Sequence, residues 1–389
     1  MEMRLHALGH LLSARDRTLR CERSRNLSVN VDTAGCQYPK PSATLRFVAS
    51  TPERRPSLHD VAKLAGCSYQ TVSRVVNADP HVSEKTRARV LAVIAETGYR
   101  RNGAARALVK ARTGAIGVVT DGSWRYGPMG ALYGVEEAAR KAGYSVLLTV
   151  SERNSFSSLE TNLQSFADAF VDGIVVIAPL QAEAAVTREV AGSWARGLPV
   201  VMLAPDPTPA QGVRVVSEDQ HLGARLATRH LIRLGHRSIV HLAGNQNWLD
   251  GSVRLEGWQQ ELLAHGLEVP EPILGKWTGQ SGYEAGKKLL ASGLPDAVFA
   301  ASDLMALGMM RAFAEAGVRV PQDISVVGFD DHEFARQFSP PLTTVRQDFR
   351  ALGNRCLEVL LNQEIEPSLL EPIRPRLFVR HSTTPATGR

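Results

Sequence analysis

Residues 68–77 read Ser-Tyr-Gln-Thr-Val-Ser-Arg-Val-Val-Asn, and this stretch decides the structure of the first folded part of the chain. On an α-helix, with about 100° between successive residues, its three valines fall on one side and must pack against neighbouring helices. The opposite side carries the polar residues Tyr69, Gln70, Ser73, Arg74 and Asn77. Glutamine can pair with adenine, and arginine with guanine, in the major groove of DNA. Any surface helix has a polar side, so this helix alone does not establish DNA binding.

Two further helices are predicted around this stretch. Ser57 and Ser83 stand where N-cap residues belong, Asp60 stands where the acid of a capping box belongs, and Gly66 and Gly98 stand where the helices should end. In the first helix, Leu58, Val61, Ala62 and Ala65 have the spacing of one buried face, and the third helix carries Val90, Leu91 and Ile94. Three helices in about 42 residues, with a short glycine-containing turn between the first two, predict a helix-turn-helix unit.

The charge of the chain is unevenly distributed. The net charge is +6, but residues 1–56 carry +5 and residues 57–114 carry +6, which leaves −5 on the remaining 275 residues. A basic N-terminal part attracts polyanions, and charge alone does not separate nucleic acid from an acidic membrane. The close spacing of the three helices, together with their local +6, favours DNA.

Several classes of protein are disfavoured by composition. The longest uncharged apolar runs are five to seven residues, too short to span a membrane. The first twenty residues contain four arginines, unlike a secretory signal, so we expect a cytoplasmic protein associated with the nucleoid and without a membrane partner. The four cysteines are far apart and indicate a reducing compartment without disulfides: Cys21, Cys36, Cys67 and Cys356.

No complete catalytic arrangement is present in the sequence. The run 286–288 (Gly-Lys-Lys) lacks the first glycine and the final Ser or Thr of a phosphate loop. The adjacent Asp330 and Asp331 are more simply explained as one ligand-facing and one structural carboxylate than as a catalytic pair. No His/Cys cluster has metal-ligand spacing. We therefore expect no enzyme, no cofactor and no metal site.

From residue 115 onward, short apolar runs alternate with amphipathic helical segments. The predicted strands are 116–120, 145–150, 174–178, 200–203, 213–217, 239–243, 297–301 and 324–328. The predicted helices include 130–142, 222–234 and 304–316. This alternation is typical of doubly wound parallel α/β structure, and some 275 residues suit two α/β lobes better than one.

The segments on either side of the head lack an independent fold. Residues 1–56 mix arginine with serine, threonine and proline, and we expect a disordered extension; translation of a shorter chain from near Val48 would lose nothing that looks folded. Residues 102–110 are helix-permissive but shorter than an isolated helix needs, and Gly103 weakens them. Leu108 and Val109 could wedge between base steps in a minor groove once a partner supplies packing. A plain interdomain linker explains the same residues equally well.

Long ordered motifs connect residues 57–389 with a known family. They read DVAKLAG at 60–66, SYQTVSRVVN at 68–77, VSEKTR at 82–87, HLIRLGH at 230–236, RLEGW at 254–258, DLMALG at 303–308, DISVVGFDD at 323–331, PLTTV at 341–345 and QDFR at 347–350. The chain thereby resembles the lac repressor family (LacI/GalR) of bacterial transcriptional regulators, and its helix 68–77 is closer to that of the family's namesake than to the average member.

The resemblance implies a domain organisation and a fold class. It implies an all-α helix-turn-helix DNA-binding head at 57–101, a hinge helix at 102–113, and an effector-binding and dimerisation domain at 114–389. The latter is a two-lobed α/β body like that of periplasmic binding proteins.

The resemblance also implies roles in DNA binding. Tyr69, Gln70 and Arg74 would read bases, and the residues implied to contact the DNA backbone are Ser68, Thr71, Ser73 and Asn77. Leu108 would enter the minor groove, with Arg106 beside it on phosphate. Arg101 stands where most relatives have proline and Gly103 where they have a bulkier residue, so we expect hinge folding to be less favourable.

A saccharide site is implied between the lobes. The residues implied to bind the effector are Arg254, Asp330, Trp277, Phe349 and Ser302, with Asp121 and Pro128 in the stretch that follows the first strand, where ligands of doubly wound sheets gather. Ser302 replaces an asparagine and Ala204 an aspartate of a galactoside site. The implied effector is therefore a saccharide, whether a galactoside or another.

These features together predict a repressor of sugar-utilisation genes. It would bind a pseudo-palindromic operator as a homodimer, and a saccharide would release it by separating the hinge helices. Residues 382–389 show no leucine heptads, so we expect no tetramer. A solute-binding protein of a transporter is the rival from another class, but it would need a signal peptide and no DNA-binding head. A regulator that binds DNA only with its ligand is the rival within the class.

Overall fold

The computed structural model describes residues 56–100, 112–151, 156–177, 184, 198–205 and 212–386. The chain divides into two units, Met1–Arg100 and Arg101–Arg389. The predicted extension, apart from Pro56, lies outside the described residues. The same holds for residues 101–111, so nothing follows here for the predicted hinge roles of Arg106 and Leu108.

The first unit contains three helices built around a small apolar core. Their bounds are α1 (Leu58–Ala65), α2 (Tyr69–Val76) and α3 (Glu84–Thr97). Val61, Val72 and Val90 are completely buried at the point where the helices meet. The two glycines predicted to end helices, at 66 and 98, both adopt the left-handed conformation that glycine tolerates.

One apolar residue of α3, Leu91, lies outside this core and is 50% exposed. It follows the fully buried Val90 by one position, which turns it about 100° away from the contact side of α3. Val93 and Ile94, three and four positions after Val90, occupy that side instead and pack against the core.

The start of α1 is held by the predicted capping box. The amide of Asp60 donates to Ser57 Oγ at 3.3 Å, and the amide of Ser57 donates to Asp60 Oδ2 at 2.8 Å. Replacing Ser57 with alanine should cost about 1 kcal/mol, so the α1 amides should exchange about five-fold faster in the full chain. Lys85→Ala, at an exposed position of α3, should leave them unchanged. Equal exchange in wild type and Ser57→Ala would show that the cap does not stabilise α1.

The N-terminal lobe of the body is a parallel five-stranded sheet in the order β2-β1-β3-β4-β5. Its strands are β1 (Ala115–Thr120), β2 (Ser145–Val150), β3 (Ile174–Ile177), β4 (Val200–Leu203) and β5 (Val213–Val216). Its helices are α4 (Tyr126–Lys141), α5 (Phe156–Asp168) and, from much later in the chain, α10 (Phe349–Leu361). Separate apolar clusters cover the two faces of the sheet, as a doubly wound sheet requires.

The C-terminal lobe is a six-stranded sheet in the order β11-β10-β9-β8-β6-β7. Its strands are β6 (Ile239–Ala243), β7 (Ile273–Leu274), β8 (Ala297–Ala300), β9 (Ser325–Asp330), β10 (Thr343–Arg346) and β11 (Arg376–Phe378), and only β11 is antiparallel to its neighbour. Its helices are α6 (Gln220–Arg233), α7 (Leu249–Ala264), α8 (Gly279–Ser292) and α9 (Asp303–Glu315). Apolar clusters again cover both faces.

Most predicted strands of the body are found within two residues of their expected bounds. The eighth, predicted at 324–328, is Ser325–Asp330, and β7, β10 and β11 were not predicted. β7 and β11 contain only two and three residues, and β10 reads Thr-Thr-Val-Arg. Such strands are too short to show periodicity and exist because the neighbouring strand offers a free edge.

The chain passes between the two lobes three times. It crosses from β5 to α6, returns from β10 to α10, and crosses again from the short 3-10 helix Pro367–Leu370 to β11. The first and third crossings pair through a bridge between Glu218 and Ile373. The lobes therefore share a three-stranded connection, and the carboxyl ends of their parallel strands border the space between them. In the described part of the chain, no helix is long and apolar enough to cross a membrane.

Candidate functional site

The polar side of α2 is open to solvent. Tyr69 is 45% exposed and its ring stacks on that of His59, with centroids 4.6 Å apart. Gln70 is exposed, and the Arg74 side chain is 60% exposed with its Nε 3.9 Å from Asp79 Oδ2. An exposed ion pair at that distance contributes little. The three side chains predicted to read bases are therefore accessible together on one helix.

The residues predicted to contact the DNA backbone cap and flank this helix. Ser68 Oγ accepts from the amide of Thr71 at 3.2 Å and lies 2.9 Å from its hydroxyl. At the other end, Asn77 Nδ2 lies 3.5 Å from Ser73 Oγ. Ser68 and Asn77 are the two caps of the helix, and Thr71 and Ser73 lie within it. All four carry hydroxyl or amide groups of the kind that bind phosphates.

A cavity of about 730 Å³ lies between the lobes of the body. The N-terminal lobe contributes the loop after β1 and the start of α4, and the C-terminal lobe contributes the ends of its parallel strands and the residues that follow them. The lining residues that carry charge or an indole ring are Trp124, Arg125, Trp248, Asp250, Arg254, Trp277, Asp303, Asp330 and Glu333. The cavity thus combines aromatic surface with several carboxylates.

Arg254 is the centre of the polar network in this cavity. It is only 2% exposed; its Nε donates to Gln220 Oε1 at 2.9 Å and its Nη1 to the Ala301 carbonyl at 2.5 Å. Gln220 Nε2 donates to Gln347 Oε1 at 2.8 Å, and Gln347 Nε2 to Asp330 Oδ1 at 2.9 Å. Nη1 of Arg254 itself lies 3.7 Å from Asp330 Oδ1. The network fixes the guanidinium and the carboxylate side by side, with both glutamines at crossings between the lobes.

Aromatic rings hold the same guanidinium from its faces. The Arg254 Cζ lies 3.7 Å from the centre of the Phe329 ring and 5.6 Å from that of Trp277. Trp277 has a positive φ of 61°, and its ring is 6.2 Å from that of Trp248. Its buried Nε1 has no hydrogen-bond partner among the described residues. Both tryptophans line the cavity and supply its aromatic surface.

The carboxylates at this end of the cavity favour their protonated forms. Burial raises the pKa of Asp330, and the Asp250 carboxylate raises it further, while Arg254 and Gln347 lower it. Burial likewise raises the pKa of Asp303, which accepts from Thr344 Oγ1 at 2.6 Å and from the His332 amide at 2.8 Å. The buried guanidinium of Arg254 thus lies in a cavity that also contains the buried carboxyl groups of Asp303 and Asp330.

Asp331 differs from its neighbour Asp330. It forms ion pairs with Arg346 and Arg380 and does not line the cavity. Its two arginines connect β10 to the segment that follows β11. Asp331 thus has the structural position expected for the second carboxylate of the pair.

The structure brings some, but not all, of the other predicted effector residues to the cavity. Ser302 lines it, although its Oγ also caps α9 by accepting from the Met305 amide at 3.3 Å. Pro128 lines it from α4. Phe349 lines a smaller neighbouring cavity and contacts Tyr126, with ring centres 5.5 Å apart. Asp121 is among the lining residues of neither cavity; its Oδ1 accepts from the amide of Ser123 at 3.0 Å and so shapes the loop after β1.

Two lining residues, Asp250 and His332, were not singled out from the sequence, whereas Tyr126 belongs to the predicted stretch after the first strand. Asp250 lies in the first turn of α7 and lines both cavities, and burial raises its pKa. Tyr126 begins α4, and burial followed by the charge of Asp330 raises its pKa to about 12. His332 stacks on Phe334 at 3.7 Å beside it. Asp250 stands four positions before Arg254, one turn away on the same helix face, and that spacing could have indicated it.

The smaller cavity, of about 60 Å³, shares three lining residues with the larger one. Glu218 lines it, is 5% exposed, and has a pKa raised by burial to about 8. The main-chain amide of Asp348 lowers that pKa, and the Asp348 and Asp250 carboxylates raise it. At neutral pH the Glu218 carboxyl is therefore mostly neutral.

This raised pKa predicts a pH dependence of stability. Glu218 binds a proton more tightly in the folded chain than at its ordinary pKa of 4.5. Its contribution to stability is thus complete below pH 4.5 and is lost as the pH rises through about 8, by about 1.4 kcal/mol per pH unit. Glu218→Gln should flatten the fall in melting temperature over this range, measured by calorimetry. Parallel curves for the two proteins would mean that Glu218 is ionised in the folded state.

Among the described residues of the head and body, no group of three or more His, Cys, Asp or Glu side chains is arranged to hold a metal ion.

Comparison with known proteins explains why a three-helix head and a two-lobed body occur in one chain. Residues 57–102 match the model of the bacterial regulatory proteins, lacI family, and residues 228–383 match that of the periplasmic binding protein-like domain. Over 334 residues the chain is 36% identical to the lactose operon repressor of Escherichia coli (strain K12), covering 84% of this chain and 90% of that protein. The chain belongs to the lacI family. Its predicted resemblance to this family is confirmed.

Solved structures agree with this family assignment. The lac repressor dimer bound to operator and the anti-inducer ONPF superposes with a TM-score of 0.74 at 34% identity, covering 85% of this chain and 100% of that one. A complex of the transcriptional regulator CelR with cellobiose superposes with a TM-score of 0.58 at 33% identity, covering 84% and 100%. The predicted fold class, a helix-turn-helix head and a two-lobed α/β body, is confirmed. These relatives are transcriptional regulators, which also confirms that the family is one of regulators and not of enzymes.

Proposed function

We propose that this lacI-family regulator is a repressor of sugar-utilisation genes, bound to operator DNA as a homodimer and released by a saccharide. The observation that carries the proposal is the cavity between the lobes, where Arg254 and Asp330 lie side by side next to the ring of Trp277. A guanidinium beside a carboxylate can hold adjacent hydroxyl groups, and an indole face packs on the C–H surface of a sugar ring. The CelR structure in complex with cellobiose supports a saccharide in such a cavity.

DNA binding is assigned to α2. Tyr69, Gln70 and Arg74 would reach base edges in the major groove, and the residues that would contact the DNA backbone are Ser68, Thr71, Ser73 and Asn77. Their exposure on one side of a helix whose other side is buried valine supports this assignment. Binding to the chromosome would place the protein in the cytoplasm, at the nucleoid.

A homodimer would cover apolar surface that the single chain leaves open. On the edge strand β2, Leu147, Leu148 and Val150 are exposed. An exposed apolar edge strand is a common element of protein interfaces. Two heads in one dimer would match the two half-sites of a pseudo-palindromic operator. The lac repressor dimer bound to operator supports this assembly.

A band-shift experiment tests the proposal. Purified full-length protein is mixed with the DNA upstream of its own gene, with and without D-ribose, D-galactose, lactose or cellobiose. We expect a retarded complex that at least one saccharide dissolves. A complex that forms only with a saccharide would assign the rival behaviour, in which the ligand promotes DNA binding. A complex indifferent to every saccharide would contradict a saccharide effector, and a tetramer in sedimentation would contradict the dimer.

A further inference from the structure

Asp250 contributes a carboxyl group without a partner to the space between the lobes. It lies in the first turn of α7 and lines both cavities. Neither oxygen has a hydrogen-bond or ion-pair partner in the described part of the chain, and no hydrogen bond affects its pKa, which burial raises and Arg254 lowers. The side chain is partly exposed, and both oxygens keep surface that a ligand can reach. The carboxyl group is therefore accessible and still lacks hydrogen bonds.

This carboxyl group lies where the two lobes approach each other. Asp250 belongs to the C-terminal lobe, and its Oδ2 faces Gly127 at the start of α4 in the N-terminal lobe, where a Cβ atom on the glycine would lie 3.6 Å from the oxygen. Arg254 follows four positions later, one turn along the same face of α7. A ligand group bound by Asp250 would therefore lie at the boundary between the lobes, near the guanidinium.

Carboxyl groups outnumber guanidinium groups around the larger cavity. The charged residues that line it are the acids Asp250, Asp303, Asp330 and Glu333 and the arginines Arg125 and Arg254. Both arginines already donate to other parts of the protein. Arg254 Nε donates to Gln220 Oε1 at 2.9 Å, and Arg125 Nη1 donates to the Lys276 carbonyl at 3.1 Å. An anionic ligand would therefore meet an excess of acids and no uncommitted arginine or lysine among the described lining residues.

The chemistry of the carboxyl group defines the ligand that fits it. An ionised carboxylate only accepts hydrogen bonds, whereas a protonated one also donates. A saccharide hydroxyl donates and accepts, so it pairs with Asp250 in either form. A phosphate group would face ionised acids or force them to bind protons, and both cost free energy. A cationic group would meet the guanidinium of Arg254 instead. The best complement is therefore an uncharged hydroxyl group.

We propose that Asp250 binds a hydroxyl group of the effector and restricts the cavity to uncharged saccharides, so that phosphorylated saccharides are excluded. The inference rests on the proposed function, since it takes the effector to be a saccharide. It adds a residue on the side of the cavity next to the N-terminal lobe, whereas Asp330 lies on the side of the C-terminal strands. The regulator would then respond to a sugar before its phosphorylation and not after it.

Two variants of the full-length protein test this role. Asp250→Leu keeps a similar volume and removes hydrogen bonding, and Asp250→Asn keeps an acceptor oxygen and removes the charge. The ligands are D-ribose, D-galactose, lactose and cellobiose, each also with a phosphate on a primary hydroxyl. In calorimetric titration, wild type should bind the phosphorylated form of its ligand at least about 100-fold more weakly than the free form. Glu256→Gln, an exposed position of α7 outside the cavity, should behave like wild type.

The variants should change this pattern in different ways. Asp250→Leu should bind the free saccharide at least about ten-fold more weakly, the effect of one lost hydrogen bond to a charged group. Asp250→Asn should reduce the preference for the free form at least about ten-fold, because one negative charge is gone. Both should bind operator DNA like wild type in band shifts, since Asp250 has no bonding partner to lose in the described chain.

Several results would overturn the proposal. Unchanged saccharide affinity in Asp250→Leu would show that Asp250 does not touch the effector, and an unchanged preference in Asp250→Asn would show that its charge excludes nothing. If Asp250→Leu fails to bind operator, Asp250→Asn alone decides. Wild type that binds only phosphorylated saccharides would leave the saccharide function standing and contradict this inference. Wild type that binds no member of the panel in either form would contradict both.

Discussion

Arg254→Lys should bind operator DNA like the wild type but bind the releasing saccharide at least about 100-fold more weakly. Lysine keeps the charge, but its single ammonium cannot donate to Gln220 Oε1 and the Ala301 carbonyl while lying beside Asp330 and flat on Phe329. A hydrogen bond that involves a charged group contributes about 1.5–3 kcal/mol, and 100-fold corresponds to about 2.7 kcal/mol.

Calorimetric titration measures the saccharide affinity of the variant, and band shifts measure its operator binding. Arg233→Lys, an exposed arginine near the end of α6, is the matched control and should behave like wild type in both. Retained saccharide affinity in Arg254→Lys would remove Arg254 from the effector site. Loss of DNA binding together with saccharide binding would indicate a folding defect instead, which thermal unfolding of the variant would reveal.

Gln70→Ala should weaken specific operator binding by at least about 30-fold. A bidentate glutamine–adenine pair is worth about 1–3 kcal/mol at each half-site, so a dimer would lose about 2 kcal/mol or more. Glutamine carries no charge, and so the affinity for unrelated DNA and the dependence of binding on salt concentration should not change. The variant should therefore lose sequence discrimination and keep its general attraction to DNA.

Fluorescence anisotropy with operator and scrambled duplexes at several salt concentrations makes this comparison. Gln280→Ala, an exposed glutamine of α8 in the body, controls for the substitution itself. An equal loss on operator and scrambled DNA would assign Gln70 to the phosphate backbone. No loss on either would place base recognition elsewhere on the head.

The fold of the head could be predicted because the residues that determine its helices lie within or next to those helices. The serines before each helix, the glycines after α1 and α3, and the valine side of α2 all act within a few residues of their position. Leu91 shows the limit of this reasoning. Apolar spacing selects a helix face only to within one position, and the neighbours in space decide which residue is buried.

The body was predictable at the level of strands and lobes. Strands such as Val200–Leu203 are buried on both faces and therefore appear as continuous apolar runs. Arg254, Trp277 and Asp330 were assigned through long family motifs, and the structure does bring them together. Asp250 was not found, although its spacing to Arg254 could have indicated it. Glu218 was not found, because a carboxylate in a sequence carries no mark of its burial, and only the folding of distant segments onto one another buries it.

The three crossings between the lobes also limit which segments of this chain can be exchanged with those of a relative by recombination. The N-terminal lobe is completed by α10, which follows nearly all of the C-terminal lobe in the chain, and the C-terminal lobe is completed by β11, which comes later still. A single breakpoint between β5 and α10 therefore leaves the N-terminal lobe without a helix that covers its sheet. Exchanging one lobe between relatives requires at least three breakpoints, one at each crossing, so a genetic exchange with a single breakpoint in the body transfers a mixture of both lobes. The lobes should consequently be inherited together, whereas the head, which is contiguous in sequence, can be replaced by one exchange.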